Sequence, residues 1–306
     1  MIIRPKNNWL RTLFVWHGSV LPQVLTRLLI LLLASVAVVY LRGTVLQHKI
    51  PLTSAPFSLF GVALAVFLGF YNNVSYERYW EGRRLWGALL NDTRSLTRQA
   101  LTMSGHPADS PAVAHFVSLL IAFAHALRHQ LRHSDAAPDL QRLLPAELAA
   151  EVGRAQFKPV LLLRELGRWL QQARAEGRLD TTVLLAFDRN LNQLSDILGG
   201  CERIAGTPIP YTYSVLLHRT VYIYCFLLPF GLVDSIGWAT PLVVVFIGYT
   251  FMALDAIVNE IEEPFGTADN DLALNALSRT IENSLREMLG QPALPAPPVP
   301  RNYVLD

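Results

Sequence analysis

The stretch that decides the fold is residues 50–76, which read IPLTSAPFSLFGVALAVFLGFYNNVSY and contain no charged side chain. Because a helix rises about 1.5 Å per residue, roughly 20 apolar residues already cross a bilayer. The stretch is therefore long enough to span a membrane. Its small residues Gly61, Ala65 and Gly69 would let neighbouring helices come close, as helix packing in lipid requires.

A stripe of larger apolar side chains runs along the same predicted helix at Val62, Val66 and Phe70. Spacing alone leaves two interpretations open, which are packing within a helix bundle and lining of a pore. In a ring of identical helices, the stripe would form apolar collars over about 12 Å that gate by dewetting. Such a neck carries no charge, so it does not select the sign of an ion by itself.

Composition indicates a membrane protein with a sizeable polar portion. Hydrophobic residues make up 52% of the 306 residues and charged ones 16%, whereas about 25% are charged in a typical soluble domain. The net charge of +2 gives no reason to expect a nucleic-acid partner. Two distant cysteines, Cys201 and Cys225, exclude a disulfide scaffold and a zinc-finger spacing.

Three further stretches are long and apolar enough to span. They are Leu21–Leu41, about Tyr213–Val233 and Ser235–Leu254, and the last two form a hairpin through the short turn at residues 233–238. Basic residues precede the first span and follow the second, namely Arg4, Lys6 and Arg11, then Arg78, Arg83 and Arg84. By the positive-inside rule both termini are expected in the cytoplasm.

The rest of the chain has helical periodicity with little strand-like alternation. The predicted division is a cytoplasmic N-terminal segment (1–20), two membrane helices (21–84), a helical cytoplasmic domain (85–210), a membrane hairpin (211–258) and a cytoplasmic C-terminal segment (259–306). The fold class is therefore an all-α integral membrane protein.

Three segments together resemble the bestrophins, and bacterial members in particular. They are FLGFYNNVSYERYWE at 67–81, CERI with TPIP at 201–210, and EEPFG at 262–266. The resemblance implies a homopentameric ion channel in the bacterial inner membrane, with four membrane helices per subunit and no enzyme activity. It places the neck on Val62, Val66 and Phe70, and a lower aperture near Thr182, with Val183 next to it.

Asp180 lies beside that aperture, where a helix is expected to start. Its simplest role is an N-cap that accepts backbone N–H groups. A ring of five such carboxylates would also favour cations, and the two roles are compatible.

Clustered acids surround the third segment at Glu262, Glu263, Asp269 and Asp271. In animal bestrophins consecutive acids after the matching Pro-Phe-Gly form a calcium clasp. Here the acids are thinned, and fewer carboxylates bind calcium more weakly. We therefore expect no cofactor and no calcium regulation, and interpret these acids as helix caps and partners of nearby arginines.

His125, His129 and His133 follow one another at helical spacing, which is compatible with a shared metal. Arg128 and Arg132 lie between them, so a solvated basic face is the simpler interpretation and no metal site is predicted. A heme between His17 and His218 is disfavoured because both lie at span edges.

Two other functions compete with a channel. A membrane enzyme would need a catalytic constellation, and a scaffold without a pore would leave the apolar stripe unexplained. Monovalent cations such as sodium and potassium are slightly favoured because the chain is most similar to bacterial members, and chloride, as in animal bestrophins, is the alternative. The expected partners are four further copies of the chain, membrane lipids and the permeant ions.

Overall fold

The structure is a computed structural model that describes residues 1–3, 10, 12, 15–16, 18–45, 48–295 and 303–305. The described helices are α1 (Leu21–Tyr40), α2 (Ser54–Met103), α3 (Pro111–Leu131), α4 (Ala137–Leu143), α5 (Ala146–Arg154), α6 (Lys158–Ala175), α7 (Thr181–Gly206), α8 (Tyr211–Ile236), α9 (Thr240–Ile261) and α10 (Leu274–Met288). Beside these helices, the described part contains a pair of antiparallel strands of two residues each, β1 (Thr44–Val45) and β2 (His48–Lys49). The predicted all-α class is confirmed.

Helix α2 runs without a break for 50 residues. Its first half is the apolar stretch quoted above, and its second half continues through the charged residues from Glu77 onward. The helix ends at Met103, and Gly105 just beyond it adopts a positive φ of 70°. A side chain at Gly105 would also meet the Arg178 carbonyl oxygen at 2.8 Å, so glycine is required at this turn.

The described residues divide into two units. We call residues 18–79 and 208–263 the membrane unit, and residues 80–207 and 264–295 with the chain ends 1–3 and 303–305 the extramembrane unit. The sequence-predicted boundaries are instead 84/85, 210/211 and 258/259.

The core of the membrane unit joins α1, the first half of α2, α8 and α9. Buried side chains from all four helices meet there, among them Leu28, Leu31, Leu64, Leu68, Val221, Val244 and Met252. Gly248 of α9 lies so close to Leu31 of α1 that any added Cβ would overlap the leucine. Close approach through a small residue is how helices pack where lipid offers no hydrophobic drive.

The hairpin between α8 and α9 differs from its predicted place. α8 extends to Ile236 and α9 begins at Thr240, later than the predicted Ser235. Gly237 adopts a positive φ of 56°, which ends α8, and a single 3-10 turn follows. The turn therefore lies at residues 237–239.

Helix α3 is also long and apolar enough to cross a bilayer by composition alone, as are α1, α2 and the stretch that holds α8 and α9. However, 67% of its most apolar 18-residue stretch is buried within the protein, against 33% of the corresponding stretch of α1. α3 is therefore the core helix of the extramembrane unit, with Phe116, Phe123 and Leu127 fully buried.

The basic face predicted for α3 is wrong. His125 is only 3% exposed, and its Nε2 lies 2.8 Å from Glu282 Oε2 on α10. His129 is partly buried and lies 3.1 Å from Asp139 Oδ2 on α4. The carboxylate partner of His129 is 10 positions away in the chain and that of His125 is 157 positions away, so the spacing within α3 could not reveal them.

Arginines complete this buried charge cluster. Arg142 donates to both oxygens of Glu282 at 2.5 and 3.0 Å, and Arg128 donates to Asp139 at 2.7 Å. Burial raises the pKa of Glu282, but hydrogen bonds from His125 and Arg142 outweigh burial and lower that pKa to about 2. Burial likewise opposes ionisation of Asp139, yet His129, His125 and the arginines hold its pKa well below the usual range.

Glu282→Gln should lower the free energy of unfolding by about 3 kcal/mol, because it leaves Arg142 and His125 without their buried anion. The lowered pKa means that wild-type Glu282 stabilises the fold above about pH 4.5, and that this contribution is lost as the pH falls toward about 2. Thermal unfolding of the detergent-solubilised protein at several pH values is the measurement. Glu151→Gln, which removes an exposed ion pair with Arg164, is the control and should have a much smaller effect. Equal unfolding midpoints for the two variants would contradict the prediction.

The two described ends of the chain lie side by side. Ile2 and Val304 form an antiparallel bridge, and the Met1 ammonium donates to the Leu305 carbonyl oxygen at 2.7 Å. Ile3 N donates to Tyr303 O at 2.8 Å. Both ends are therefore on the same side of the molecule.

Candidate functional site

The predicted neck residues share one exposed face of α2. Val62, Val66 and Phe70 are 65%, 51% and 68% exposed in the subunit. Leu64 and Leu68, on the opposite face, are 2% and 0% exposed. One face of the helix is thus packed within the chain, and the opposite apolar face is exposed.

The small residues of α2 do not share one environment. A side chain at Gly61 would meet Tyr224 Oη of α8 at 2.7 Å, so Gly61 packs within its own subunit. Gly69 has no atom within 4 Å of an added Cβ, and Ala65 is exposed. Ala65 and Gly69 therefore lie on a surface that is open to another helix.

Polar residues continue the exposed stripe toward the charged half of α2. Asn73 and Glu77 follow Phe70 at three and seven positions, which keeps them near the same helix face. Asn73 Nδ2 donates to Glu77 Oε1 at 3.1 Å, and both residues are exposed. The next basic residue, Arg78, instead donates to the Glu262 carbonyl oxygen at 3.3 Å. Glu77 is thus the first charged group below the apolar stripe.

The predicted lower-aperture residues open helix α7. Asp180 Oδ1 accepts the Val183 N–H at 2.9 Å, which confirms the predicted N-cap. Thr182 is exposed and Val183 is partly buried. Asp180 is itself exposed, so capping leaves its carboxylate accessible.

The acids around the Pro-Phe-Gly segment have separate partners. Glu262 Oε1 accepts the Ile209 N–H at 3.2 Å, and Asp271 Oδ2 accepts the Ala268 N–H at 2.7 Å. Glu263 and Asp269 are exposed. Within the described residues, no three or more candidate ligands converge to hold a metal ion.

The arginine that reaches this segment binds its backbone. Arg132 donates to the carbonyl oxygens of Phe265 and Leu272 at 3.4 and 3.2 Å. Asp271 also closes the turn through its own N–H, which donates to Ala268 O at 3.0 Å. The acids were predicted to cap helices and to pair with arginines. In the contacts described above, Glu262 and Asp271 instead accept N–H groups from loop residues, and Arg132 donates to backbone carbonyl oxygens.

Two polar groupings in the membrane unit had no sequence signal. His218 Nδ1 lies 2.9 Å from Asp255 Oδ2, which joins α8 to α9. Tyr71 of α2 bonds Ser214 of α8 and approaches Glu262. The disfavoured heme pair falls partly on His17, which lies outside the described residues.

Comparison with known proteins identifies the family. Residues 1–287 match the family described as bacterial and fungal bestrophin protein. The chain belongs to the bestrophin family. A voltage-dependent anion channel-forming protein of Ralstonia nicotianae is 51% identical to this bestrophin over all 306 residues of both chains, and the Escherichia coli protein YneE, named likewise, is 44% identical over the same span.

Solved structures agree with this assignment. A crystal structure of a bacterial bestrophin homolog from Klebsiella pneumoniae has a TM-score of 0.82 and 43% sequence identity, and the match covers 88% of this chain and 99% of the other. The fold, the family and the channel-named relatives identify this bestrophin as a multi-pass membrane protein and an ion channel, not an enzyme.

Proposed function

We propose that this bestrophin forms a homopentamer around a central pore and passes small monovalent ions through a hydrophobic neck. Val62, Val66 and Phe70 of each subunit would line the neck. The observation that carries the proposal is the exposed apolar stripe on α2, backed by a fully buried face of the same helix. The pore would cross the bacterial inner membrane, with both termini in the cytoplasm.

Three stacked collars would act as the barrier to ions. An ion that crosses them gives up hydration and receives no ligands in exchange, which is costly in apolar surroundings. A narrow apolar constriction therefore dewets and closes, whereas a wider one stays wetted. We propose Thr182, Val183 and Asp180 as the second, lower aperture.

Replacing Val62, Val66 and Phe70 together with alanine should raise single-channel conductance or open probability severalfold, because smaller collars keep the neck wetted. Single-channel recording in lipid bilayers is the measurement. Leu33→Ala/Leu242→Ala/Phe246→Ala removes exposed apolar side chains from α1 and α9 and is the matched control. Unchanged or lost current in a correctly assembled oligomer would show that the gate lies elsewhere.

Gly69→Leu should prevent pentamer formation while the subunit still folds, because the added side chain has space in the subunit but would occupy the face that we assign to a neighbouring helix. Native mass of the detergent-solubilised protein reports the oligomer. Gly153→Leu on α5, where an added Cβ also meets nothing within 4 Å, is the control. Formation of an intact pentamer by Gly69→Leu would contradict this packing role for Gly69.

The sign of the permeant ion has two candidates. Glu77 favours cations, since five exposed carboxylates directly below the neck would raise the local cation concentration. The names of the relatives, voltage-dependent anion channel-forming proteins, favour anions as the second candidate. We propose a modest cation preference that depends on Glu77.

Reversal potentials in asymmetric NaCl should be displaced from zero toward the sodium equilibrium potential. Glu77→Gln should move them toward zero or toward the chloride equilibrium potential. Glu81→Gln is the control, because Glu81 already pairs with Arg203 at 2.5 Å and should contribute less to the field in the pore. A wild-type reversal potential near that of chloride would establish the anion alternative.

A further inference from the structure

Tyr71 directly follows the neck residue Phe70 but lies on the buried side of α2. It is only 6% exposed, whereas Phe70 is 68% exposed. Its hydroxyl forms a short hydrogen bond with Ser214 Oγ of α8 and donates to Glu262 Oε2 at 3.4 Å. A neck-lining helix is therefore bonded, at the level of its lowest collar, to groups on two other parts of the membrane unit.

Glu262 also contacts the segment before α8 and a second point on α2. Its Oε1 accepts the Ile209 N–H at 3.2 Å, just before α8 begins. Its carbonyl oxygen accepts Arg78 Nε at 3.3 Å, two turns further along α2 than Tyr71. One residue at the end of α9 thus makes contacts with α2 at two points and with the start of α8. We call Tyr71, Ser214 and Glu262 the Tyr71 latch.

The latch constrains the rotation of α2 more tightly than apolar packing alone. Dispersion contacts are non-directional, and leucines such as Leu64 and Leu68 tolerate small rotations of the helix. Hydrogen bonds weaken steeply as their angle departs from linear. Because consecutive residues in a helix are about 100° apart, a fixed Tyr71 hydroxyl also fixes the direction in which Phe70 points.

Loss of its partners is costly for the Tyr71 hydroxyl. The side chain is only 6% exposed, so a hydroxyl without Ser214 and Glu262 would be a buried polar group left unsatisfied. Ile209 N–H precedes Pro210, which donates no N–H, so the Glu262 carboxylate serves the free donor at this entry to α8. The three residues therefore act together, and removal of one weakens the orientation of the others.

We infer that Tyr71, Ser214 and Glu262 are positioning residues that hold the hydrophobic neck narrow by fixing the rotation of α2. This inference rests on the proposed function of Val62, Val66 and Phe70 as the neck. When the latch is broken, the collars move more freely and the neck stays wetted for longer. The latch touches no ion and acts only through the collar that Phe70 provides.

The test is single-channel recording of Tyr71→Phe, Glu262→Ala, Glu262→Gln and the double variant Tyr71→Phe/Glu262→Ala in the full-length channel. Tyr71→Phe should raise open probability about two- to tenfold, the range expected from the loss of one hydrogen bond. Glu262→Ala should act in the same direction. Glu262→Gln should stay close to wild type, since its amide oxygen still accepts the Ile209 N–H. Its amide N–H can donate to Tyr71 Oη while the Tyr71 hydroxyl donates to Ser214 Oγ.

The double variant tests whether the residues form one unit. Its effect on open probability should be clearly smaller than the product of the two single effects. Tyr222→Phe is the matched control, because that hydroxyl accepts from Arg27 at 2.6 Å and links α8 to α1. The control should change open probability less than twofold.

Thermal unfolding of the same variants separates positioning from stability. A lower unfolding midpoint with unchanged open probability for Tyr71→Phe would reduce the latch to a structural role and overturn the inference. A double variant whose effect on open probability equals the product of the two single effects would overturn the inference as well. If the alanine neck variant alters the current and Tyr71→Phe does not, the positioning role of the Tyr71 latch is wrong but the proposed neck is supported. If the alanine neck variant has no effect, both the proposed neck and the positioning role of the latch are wrong.

Discussion

Within a bilayer, each backbone N–H and C=O needs a partner inside the protein, and this constraint governs the membrane unit. Helix α2 meets it by running unbroken for 50 residues, so its side chains alone decide what each face does. Leu64, Leu68 and Tyr71 face the subunit, while Val62 and Phe70 face away. A break in this helix would leave backbone N–H and C=O groups without partners in the apolar stripe.

Buried charged groups in both units also have partners inside the protein. Glu282 and Asp139 are each surrounded by several donors, and His218 is paired with Asp255. A buried carboxylate with one partner removed is far more costly than an exposed one, so such clusters specify which helices meet. In the extramembrane unit this joins α3, α4 and α10. In the membrane unit it joins α8 to α9.

Local features were predictable from the sequence, and distant polar contacts were not. Apolar periodicity and cap residues predicted the α2 continuation, the start of α7 at Asp180 and the helical class, because these depend on neighbours within a few residues. The prediction of a solvated basic face at His125 was wrong because its carboxylate partner, Glu282, lies 157 positions away. The apolar stripe on α2 was visible as a pattern, but Tyr71 and Ser214 are 143 positions apart, so no periodicity could predict their contact.

The bond between the chain ends has a consequence for handling the protein. Because Ile2 pairs with Val304 in an antiparallel bridge, residues far apart in sequence lie side by side at the chain ends. An affinity tag that inserts residues directly beside this bridge would disturb the pairing. A short linker between the two ends would instead preserve the pairing, which makes this chain suited to circular permutation at an exposed turn elsewhere.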